Sequence, residues 1–188
     1  MVLLLPGAAR AEWLLTPSLG TTFGFDTFGN QDPMYGIAVA ATDDEGFGVE
    51  GELSHAPGFF KGVSEVLGFA GQGSVTTATL DVLIGKPLPT RHGLMLRPYF
   101  SGGIGVMHMH VVSGPTNFVS NNNEAGWNAG AGAMAFFGDH LGLRGDVRYL
   151  RSFRNGAPSW TQGTTVDIAP GNFDFFRAAV GVTFRFGG

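Results

Sequence analysis

Apolar and polar residues alternate at every second position along most of this chain, and that pattern restricts what it can fold into. Side chains two residues apart share one face of a β-strand, whereas an amphipathic helix needs a period of 3.6 residues, which no segment shows. The pattern predicts an all-β chain, and every alternating segment is long enough to supply the roughly 9–11 residues with which a tilted strand crosses a bilayer. The eight predicted strands are Trp13–Phe23, Met34–Thr42, Phe47–His55, Val75–Ile84, Leu94–Val111, Gly126–Phe137, Leu141–Phe153 and Phe173–Phe186.

The connections between these strands alternate in length. The shorter ones carry turn residues, and the longer ones are rich in Gly, Asn, Ser and Pro. An up-and-down order places every short turn at one end and every long loop at the other, as in outer-membrane barrels. The short to medium turns are Asp43–Gly46, Gly85–Gly93 and Gly138–His140, and the loops at the other end, which are mostly longer, are Phe25–Pro33, Ala56–Ser74, Val112–Ala125 and Arg154–Asn172.

The two faces of each predicted strand differ in kind. In the last strand, Phe176, Val180 and Phe184 share one face, and Arg177 and Arg185 lie on the other among small residues. Glycine recurs on the polar faces, which suits the narrow interior of an eight-stranded barrel and would only weaken a strand on an open surface. Charged residues make up 14% of the chain, against about 25% in soluble domains.

These observations predict an eight-stranded antiparallel up-and-down transmembrane β-barrel with its apolar face turned outward to lipid. Aromatic residues near the strand ends fit the two interfacial girdles of such a barrel. A soluble calycin-like carrier is the alternative, and it would require the two faces to be exchanged. The aromatics are Trp13, Phe23, Tyr35, Phe47, Trp127, Phe137, Phe153, Phe173, Phe184 and Phe186.

Inside such a barrel, four carboxylates face five arginines. Buried charges persist only when they are paired and hydrogen-bonded, and the planar guanidinium suits that pairing. We therefore predict a salt-bridged polar plug rather than an open pore, which would show one dominant sign of charge around a constriction. The predicted interior network consists of Glu50, Glu52, Asp81, Arg97, Arg144, Asp146, Arg148, Arg177 and Arg185.

The first eleven residues resemble the end of a secretory signal. An apolar run, Val2–Leu5, is followed by Ala9-Arg10-Ala11, which fits a cleavage site of the A-x-A type. No stretch reaches the roughly 18 apolar residues of a transmembrane helix. We expect residues 1–11 to be a residual signal peptide and residues 12–188 to form the barrel domain.

The sequence offers little for catalysis or metal binding. Cysteine is absent, and the formal net charge of −4 argues against nucleic acid as a partner. His108 and His110 share a strand face but lack a nearby third ligand, so we expect interfacial polar residues and neither metal nor cofactor. The segment around Ser152 looks like the region where lipid A deacylases carry a His-x-Ser pair, yet it lacks the base that would activate the serine. We predict no catalytic residue.

Several aromatic residues fall in the predicted long loops. Apolar side chains on loops can form a contact surface for an extracellular ligand. The residues for which we predict such contacts are Phe59, Phe60 and Trp160.

Three segments carry a family resemblance, and it extends over nearly all of residues 12–188. They are Gly48-Val49-Glu50-Gly51-Glu52-Leu53, Leu143-Arg144-Gly145-Asp146-Val147-Arg148-Tyr149 and Val180-Gly181-Val182-Thr183-Phe184-Arg185-Phe186. The chain is similar to the small outer-membrane β-barrels related to the membrane domain of outer membrane protein A. The resemblance implies residence in the outer membrane of a Gram-negative bacterium, with its lipids, lipopolysaccharide and the barrel insertion machinery as partners.

The function expected from these observations is structural or surface-interactive. It covers membrane integrity, or adhesion and ligand binding through the long extracellular loops. A small passive, porin-like channel is the main alternative. A lipid A-modifying barrel enzyme and a soluble carrier are more remote alternatives.

Overall fold

A computed structural model describes residues 12–24, 32–59, 71–90, 94–113, 118–153 and 174–187. These residues form nine strands, of which eight are long. Among the described residues, no helix is long and apolar enough to cross a membrane. The strands are β1 Glu12–Phe23, β2 Asp32–Thr42, β3 Phe47–Pro57, β4 Gly71–Gly85, β5 Leu88–Pro89, β6 Leu94–Ser113, β7 Phe118–Phe137, β8 Leu141–Ser152 and β9 Asp174–Phe186.

Each long strand pairs antiparallel with its neighbours, and the sheet closes on itself. The order is β4-β3-β2-β1-β9-β8-β7-β6-β5, and an additional pairing of β4 with β6 joins the two sides. The two-residue β5 pairs with Met95 and Leu96 of β6 within the β4–β6 connection. The predicted eight-stranded antiparallel barrel is therefore confirmed, and closure leaves no long strand of the ring without two neighbours.

The strand registers define how far the strands are staggered. A line of directly paired residues leaves β6 at Pro98, passes once around the barrel through Gly145, Leu19 and His55, and returns to β6 at His108. The stagger is thus ten residues for eight strands. A closed sheet with such a stagger must tilt its strands, by about 35–45° in membrane barrels.

Side-chain hydrogen bonds and a glycine explain the tight turn between β2 and β3, at one end of the barrel. In the β2–β3 turn, Asp43 Oδ1 accepts hydrogen bonds from the backbone nitrogens of Glu45 at 3.0 Å and Phe47 at 2.8 Å. Gly46 follows with φ of 94°, a conformation that suits glycine. We refer to this end, which also holds the β7–β8 turn, as the turn end, and to the opposite end as the loop end.

Two predicted strand limits differ from the structure by more than two residues. β4 begins at Gly71 rather than Val75, and β7 begins at Phe118 rather than Gly126. The run Asn121–Asn123, which the sequence places in a loop, pairs with His108–His110 of β6. Backbone pairing to a long neighbouring strand outweighs the weak β-propensity of asparagine here. The loop end therefore carries a raised sheet of β4, β6 and β7.

Candidate functional site

The outer wall of the barrel is apolar. Large aliphatic and aromatic side chains stand on it with about half of their surface exposed, including Leu19, Leu80, Phe100 and Val180 at 63–70%. The inner face of the same strands carries the charged residues. The face assignment made from the sequence is therefore correct, and the reverse assignment required by a soluble carrier is not observed.

Aromatic side chains mark both edges of this apolar band. At the loop end, the rings of Trp127, Tyr149, Phe176 and Phe23 form a continuous series with centroid distances of 5.5, 5.0 and 5.7 Å. At the turn end, exposed aromatics include Trp13, Phe47, Phe137, Phe184 and Phe186. Ten residues separate Phe176 from Phe186 on β9, which at about 3.3 Å per residue and a tilt of about 40° gives roughly 25 Å. This is the height of an outer-membrane apolar band.

The centre of the barrel holds a belt of ion pairs, which we call the ion-pair belt. Arg144 Nη2 lies 3.0 Å from Glu50 Oε1, and Arg144 Nε lies 3.0 Å from Asp146 Oδ2. Arg148 bonds Glu50 and also approaches Asp81 at 2.6 Å. Because each of these arginines contacts more than one carboxylate, the belt is a connected network rather than a set of separate pairs.

The belt continues toward the loop end through Arg177. Its guanidinium forms a two-pronged contact with Glu52, with Nη2 2.5 Å from Oε2, and also donates to Ser54 Oγ at 3.3 Å. Ser54 and Thr77 are joined by a hydrogen bond of 2.6 Å. Arg148 Nη1 lies 3.3 Å from Glu52 Oε2, so one carboxylate links Arg177 to the rest of the belt.

A second ion cluster closes the turn end. Arg97 Nη2 lies 3.0 Å from Glu12 Oε2, and Arg185 Nη1 lies 3.4 Å from Glu12 Oε1. Both guanidinium groups also lie over the ring of Phe136, at 5.6 and 4.9 Å from its centroid. Glu12 thereby connects β1 to β9 and to β6, and these contacts stabilise the closed ring of strands.

Two apolar layers fill the interior on either side of the ion-pair belt. The layer toward the turn end consists of Leu14, Ala40, Leu83, Tyr99, Met134 and Phe136. The layer toward the loop end consists of Met34, Ala56, Phe59, Val75, Met107, Met109, Leu150, Phe175 and Ala179. A cavity of about 10 Å³ beside Arg144, Arg177 and Thr16 has room for about one water molecule.

The nine residues predicted for the interior network all lie on the inner side of the wall, seven of them fully buried, with Asp146 and Arg185 partly so. Three further members were missing from the predicted set. Glu12 joins Arg97 and Arg185, the hydroxyl of Tyr99 donates to Asp146 Oδ2 at 2.9 Å, and Asn128 Nδ2 donates to Asp81 Oδ1 at 2.6 Å. With Glu12 included, five carboxylates match the five arginines of the belt and the second cluster.

Phe59 does not lie in the exposed position that we predicted for a loop contact. It is 1% exposed, and its ring meets that of Phe175 edge-on at 5.0 Å. Gly58, with φ of 107°, donates its backbone N–H to Gly73 O at 2.8 Å and turns the chain so that Phe59 enters the barrel mouth. Burial of an aromatic ring against an apolar layer is the physical reason for the correction. Phe60 and Trp160 lie outside the described residues, as do residues 1–11.

The serine and the described histidines lie on different sides of the barrel wall or in a turn. Ser152 is buried on the inner face, whereas His55, His108 and His110 point outward and His140 lies in a turn. His108 is exposed, and its Nδ1 lies 2.6 Å from Asn123 Oδ1. Within the described ranges, no group of three or more His, Asp or Glu side chains is placed to hold a metal ion.

An apolar wall with two aromatic edges and a polar, filled lumen defines a small transmembrane β-barrel. A family model described as "Outer membrane protein beta-barrel domain" matches residues 1–186. The chain belongs to this family, and its place is the Gram-negative outer membrane. No curated protein sequence matches the chain.

Solved structures share this fold at low sequence identity. Neisserial surface protein A is 10% identical, with 93% of this chain and 97% of that chain covered and a TM-score of 0.62. A major outer membrane protein from Thermus thermophilus is 19% identical, with 93% and 99% covered and a TM-score of 0.57. Ail, the attachment invasion locus protein of Yersinia pestis, in complex with the heparin analogue sucrose octasulfate, is 10% identical, with 95% and 100% covered and a TM-score of 0.51. Identities this low show the fold alone.

Proposed function

We propose that this chain is a closed outer-membrane barrel with a structural or surface-interactive role, and that it neither conducts solutes nor catalyses a reaction. The observation that carries the proposal is the filling of the lumen. Along β8, Arg144, Asp146 and Arg148 belong to the ion-pair belt, and Leu150 belongs to the apolar layer above them. Such an interior supports adhesion, ligand binding or membrane integrity through the surfaces of the barrel.

The charge pattern of the lumen supports the same choice over a passive pore. A selective pore places charges of one sign around a constriction. Here five arginines and five carboxylates neutralise each other by direct contact, and apolar layers lie above and below the belt. Moving an ion past them would require breaking pairs that are costly to separate in a low-dielectric interior.

The long connections at the loop end are the surface on which an interaction would take place. The segments 25–31, 60–70 and 154–173 join strands at that end and hold Phe60 and Trp160. Ail, whose name describes attachment and invasion, shares the barrel fold. This likeness supports attachment as one form of the proposed role, with an extracellular ligand as the partner.

The position of Ser152 supports the absence of catalysis. A serine nucleophile needs a general base within hydrogen-bond reach. The inner face carries Ser152, while the strand histidines among the described residues face outward. The barrel wall thus separates the hydroxyl from His108 and His110.

The proposal is tested by planar-bilayer recording together with cell attachment. We expect the refolded chain to give no discrete conductance steps, and steady single-channel openings of the unaltered chain would refute the closed barrel. Cells displaying the chain should be retained on immobilised heparin or matrix glycans more than cells displaying Phe60→Ser with Trp160→Ser. Equal retention of both would remove the attachment role.

A further inference from the structure

A row of polar side chains crosses five neighbouring strands on the outer face near the loop end. Its members are directly paired from strand to strand, in the order Tyr35, His55, Thr76, His108 and Asn123. Tyr35 and His55 have ring centroids 5.4 Å apart, and His55 Nδ1 lies 2.8 Å from Thr76 Oγ1. We call this set the histidine row.

The row lies where the apolar wall ends. One position nearer the membrane centre on the same face, the paired residues are Ile37, Leu53, Ala78, Val106 and Ala125. The strands tilt by about 40° and lie about 4.8 Å apart, so a paired row climbs about 3 Å per strand toward the loop end. His108, two strands along the row from His55, therefore lies about 6 Å above it, at the depth where headgroups follow acyl chains.

Hydrogen bonding sets the orientation of the imidazole rings. Asn123 Oδ1 can only accept, so His108 Nδ1 donates its proton to it across 2.6 Å. The opposite ring nitrogen, Nε2, is then available on an exposed side chain. When Nε2 also carries a proton, His108 is a cation that can donate to an anionic oxygen outside the barrel.

The surroundings of the row favour an anion. On β2, β3, β4, β6 and β7, none of the outward-facing side chains that the structure describes carries a carboxylate. The buried acids of these strands, such as Glu52, Asp81 and Glu124, face inward. His110 adds a second imidazole on the outer face of β6. An anion at this level meets hydrogen-bond donors and no negative charge on the described wall.

We propose that the histidine row binds the phosphate groups of a phosphorylated outer-leaflet lipid. In their protonated form, the imidazoles of His55 and His108 donate through Nε2 to phosphate oxygens. The apolar wall below them receives the acyl chains of the same molecule. This site goes beyond the proposed surface role, because it depends on the membrane location of the barrel and not on its loops or its closed lumen.

The test reconstitutes the full chain in phosphatidylcholine nanodiscs that contain a small fraction of diphosphorylated lipid A. Lipid A that remains bound through detergent extraction is counted per barrel for the unaltered chain and for His55→Gln with His108→Gln. His140→Gln is the matched control, because His140 is an exposed histidine at the turn end. Heat-modified migration on gels verifies that all variants are folded.

We expect the double variant to retain about three- to fivefold less lipid A than the unaltered chain, which is the factor that an exposed charge pair provides. The control should retain the same amount as the unaltered chain. Lipid A without its phosphates should bind as weakly to the unaltered chain as the phosphorylated lipid binds to the double variant. Equal retention by the double variant and the control would overturn the proposal.

A spectroscopic measurement on the unaltered chain avoids any effect of the substitutions on folding. With isotope-labelled histidine, dipolar coupling between the lipid phosphorus and the Nε2 of His108 should appear with the phosphorylated lipid and vanish with the dephosphorylated one. Absence of coupling at Nε2 of both His108 and His55 would also overturn the proposal.

Discussion

Arg144 and Glu50 lie on strands directly opposite each other in the barrel, and their side chains meet in the lumen. Counted in either direction around the ring of eight long strands, β3 is the fourth strand from β8. Arg144 Nη2 and Glu50 Oε1 are 3.0 Å apart, and both side chains are almost completely buried. Arg148 reaches the same carboxylate. Glu50 therefore neutralises two almost completely buried arginines.

Replacement of Glu50 by Ala should be strongly destabilising. The change leaves Arg144 and Arg148 with part of their charge uncompensated, and breaking a buried pair in this way costs about 3–5 kcal/mol. The free energy of unfolding measured in urea from lipid vesicles should fall by that amount. Glu45→Ala in the exposed β2–β3 turn should change it by less than about 0.5 kcal/mol. A loss for Glu50→Ala no larger than that of the control would contradict the role of the belt.

The glycines of β6 and β3 provide a matched pair for the packing of the lumen. A Cβ at Gly103 would overlap the carbonyl oxygen of Leu80 and come within 2.7 Å of Asp81 Cα, whereas a Cβ at Gly51 would meet nothing within 4 Å. Gly103→Ala should lower the unfolding free energy by about 1–3 kcal/mol through overpacking. Gly51→Ala should be neutral or raise it by up to about 1 kcal/mol. The reverse order of the two variants would show that the inner and outer faces are exchanged.

The stability cost of a charged side chain on the outer wall should depend on its depth in the membrane. Val180, 69% exposed, lies midway between Phe176 and Phe184 on β9, so Val180→Arg should destabilise the barrel by about 2–4 kcal/mol. Leu141 begins β8 beside the turn, and Leu141→Arg should cost about 0–1 kcal/mol. Unfolding from vesicles measures both values. Equal costs at the two depths would argue against a bilayer centred near Val180.

Phe59 should contribute to stability as a core residue. Phe59→Ala removes a ring that is packed edge-on against Phe175, and truncation of a buried Phe costs about 3–5 kcal/mol. Phe59→Leu keeps most of the apolar volume and should cost less than about 1.5 kcal/mol. A thermal or urea series on the two variants distinguishes them. If both variants were as stable as the unaltered protein, Phe59 would not be part of the apolar layer toward the loop end in the membrane.

The two-residue period of the sequence is sufficient to predict the faces of the strands. It assigns residues such as Arg148 and Glu50 to the inside because they share a face with glycine and hydroxyl residues. It cannot predict that these two side chains touch. Their contact depends on the registers of all intervening strand pairs, and each register is a long-range property of the closed sheet.

Glu12 and the asparagine run show where local patterns are insufficient. Glu12 extends the inward-facing series of Leu14 and Thr16 by one position, so the signal was available, but a strand beginning at Trp13 excludes it. The run Asn121–Asn123 has the composition of a turn, and only its pairing with β6 makes it a strand. Boundaries of this kind depend on a partner that lies elsewhere in the chain.

The ten-residue stagger gives the ion-pair belt a further role, that of a gauge of barrel diameter. A two-residue slip of one hairpin would keep every side chain on its proper face, so hydrophobicity alone would not penalise it. The slip would, however, change the girth of the ring, because stagger and diameter are linked when the strand number is constant. Arg144 and Glu50 reach each other from opposite walls at one girth. A wider or narrower ring would leave their charges separated or crowded. The ion pairs in the lumen therefore favour the barrel that has the correct stagger.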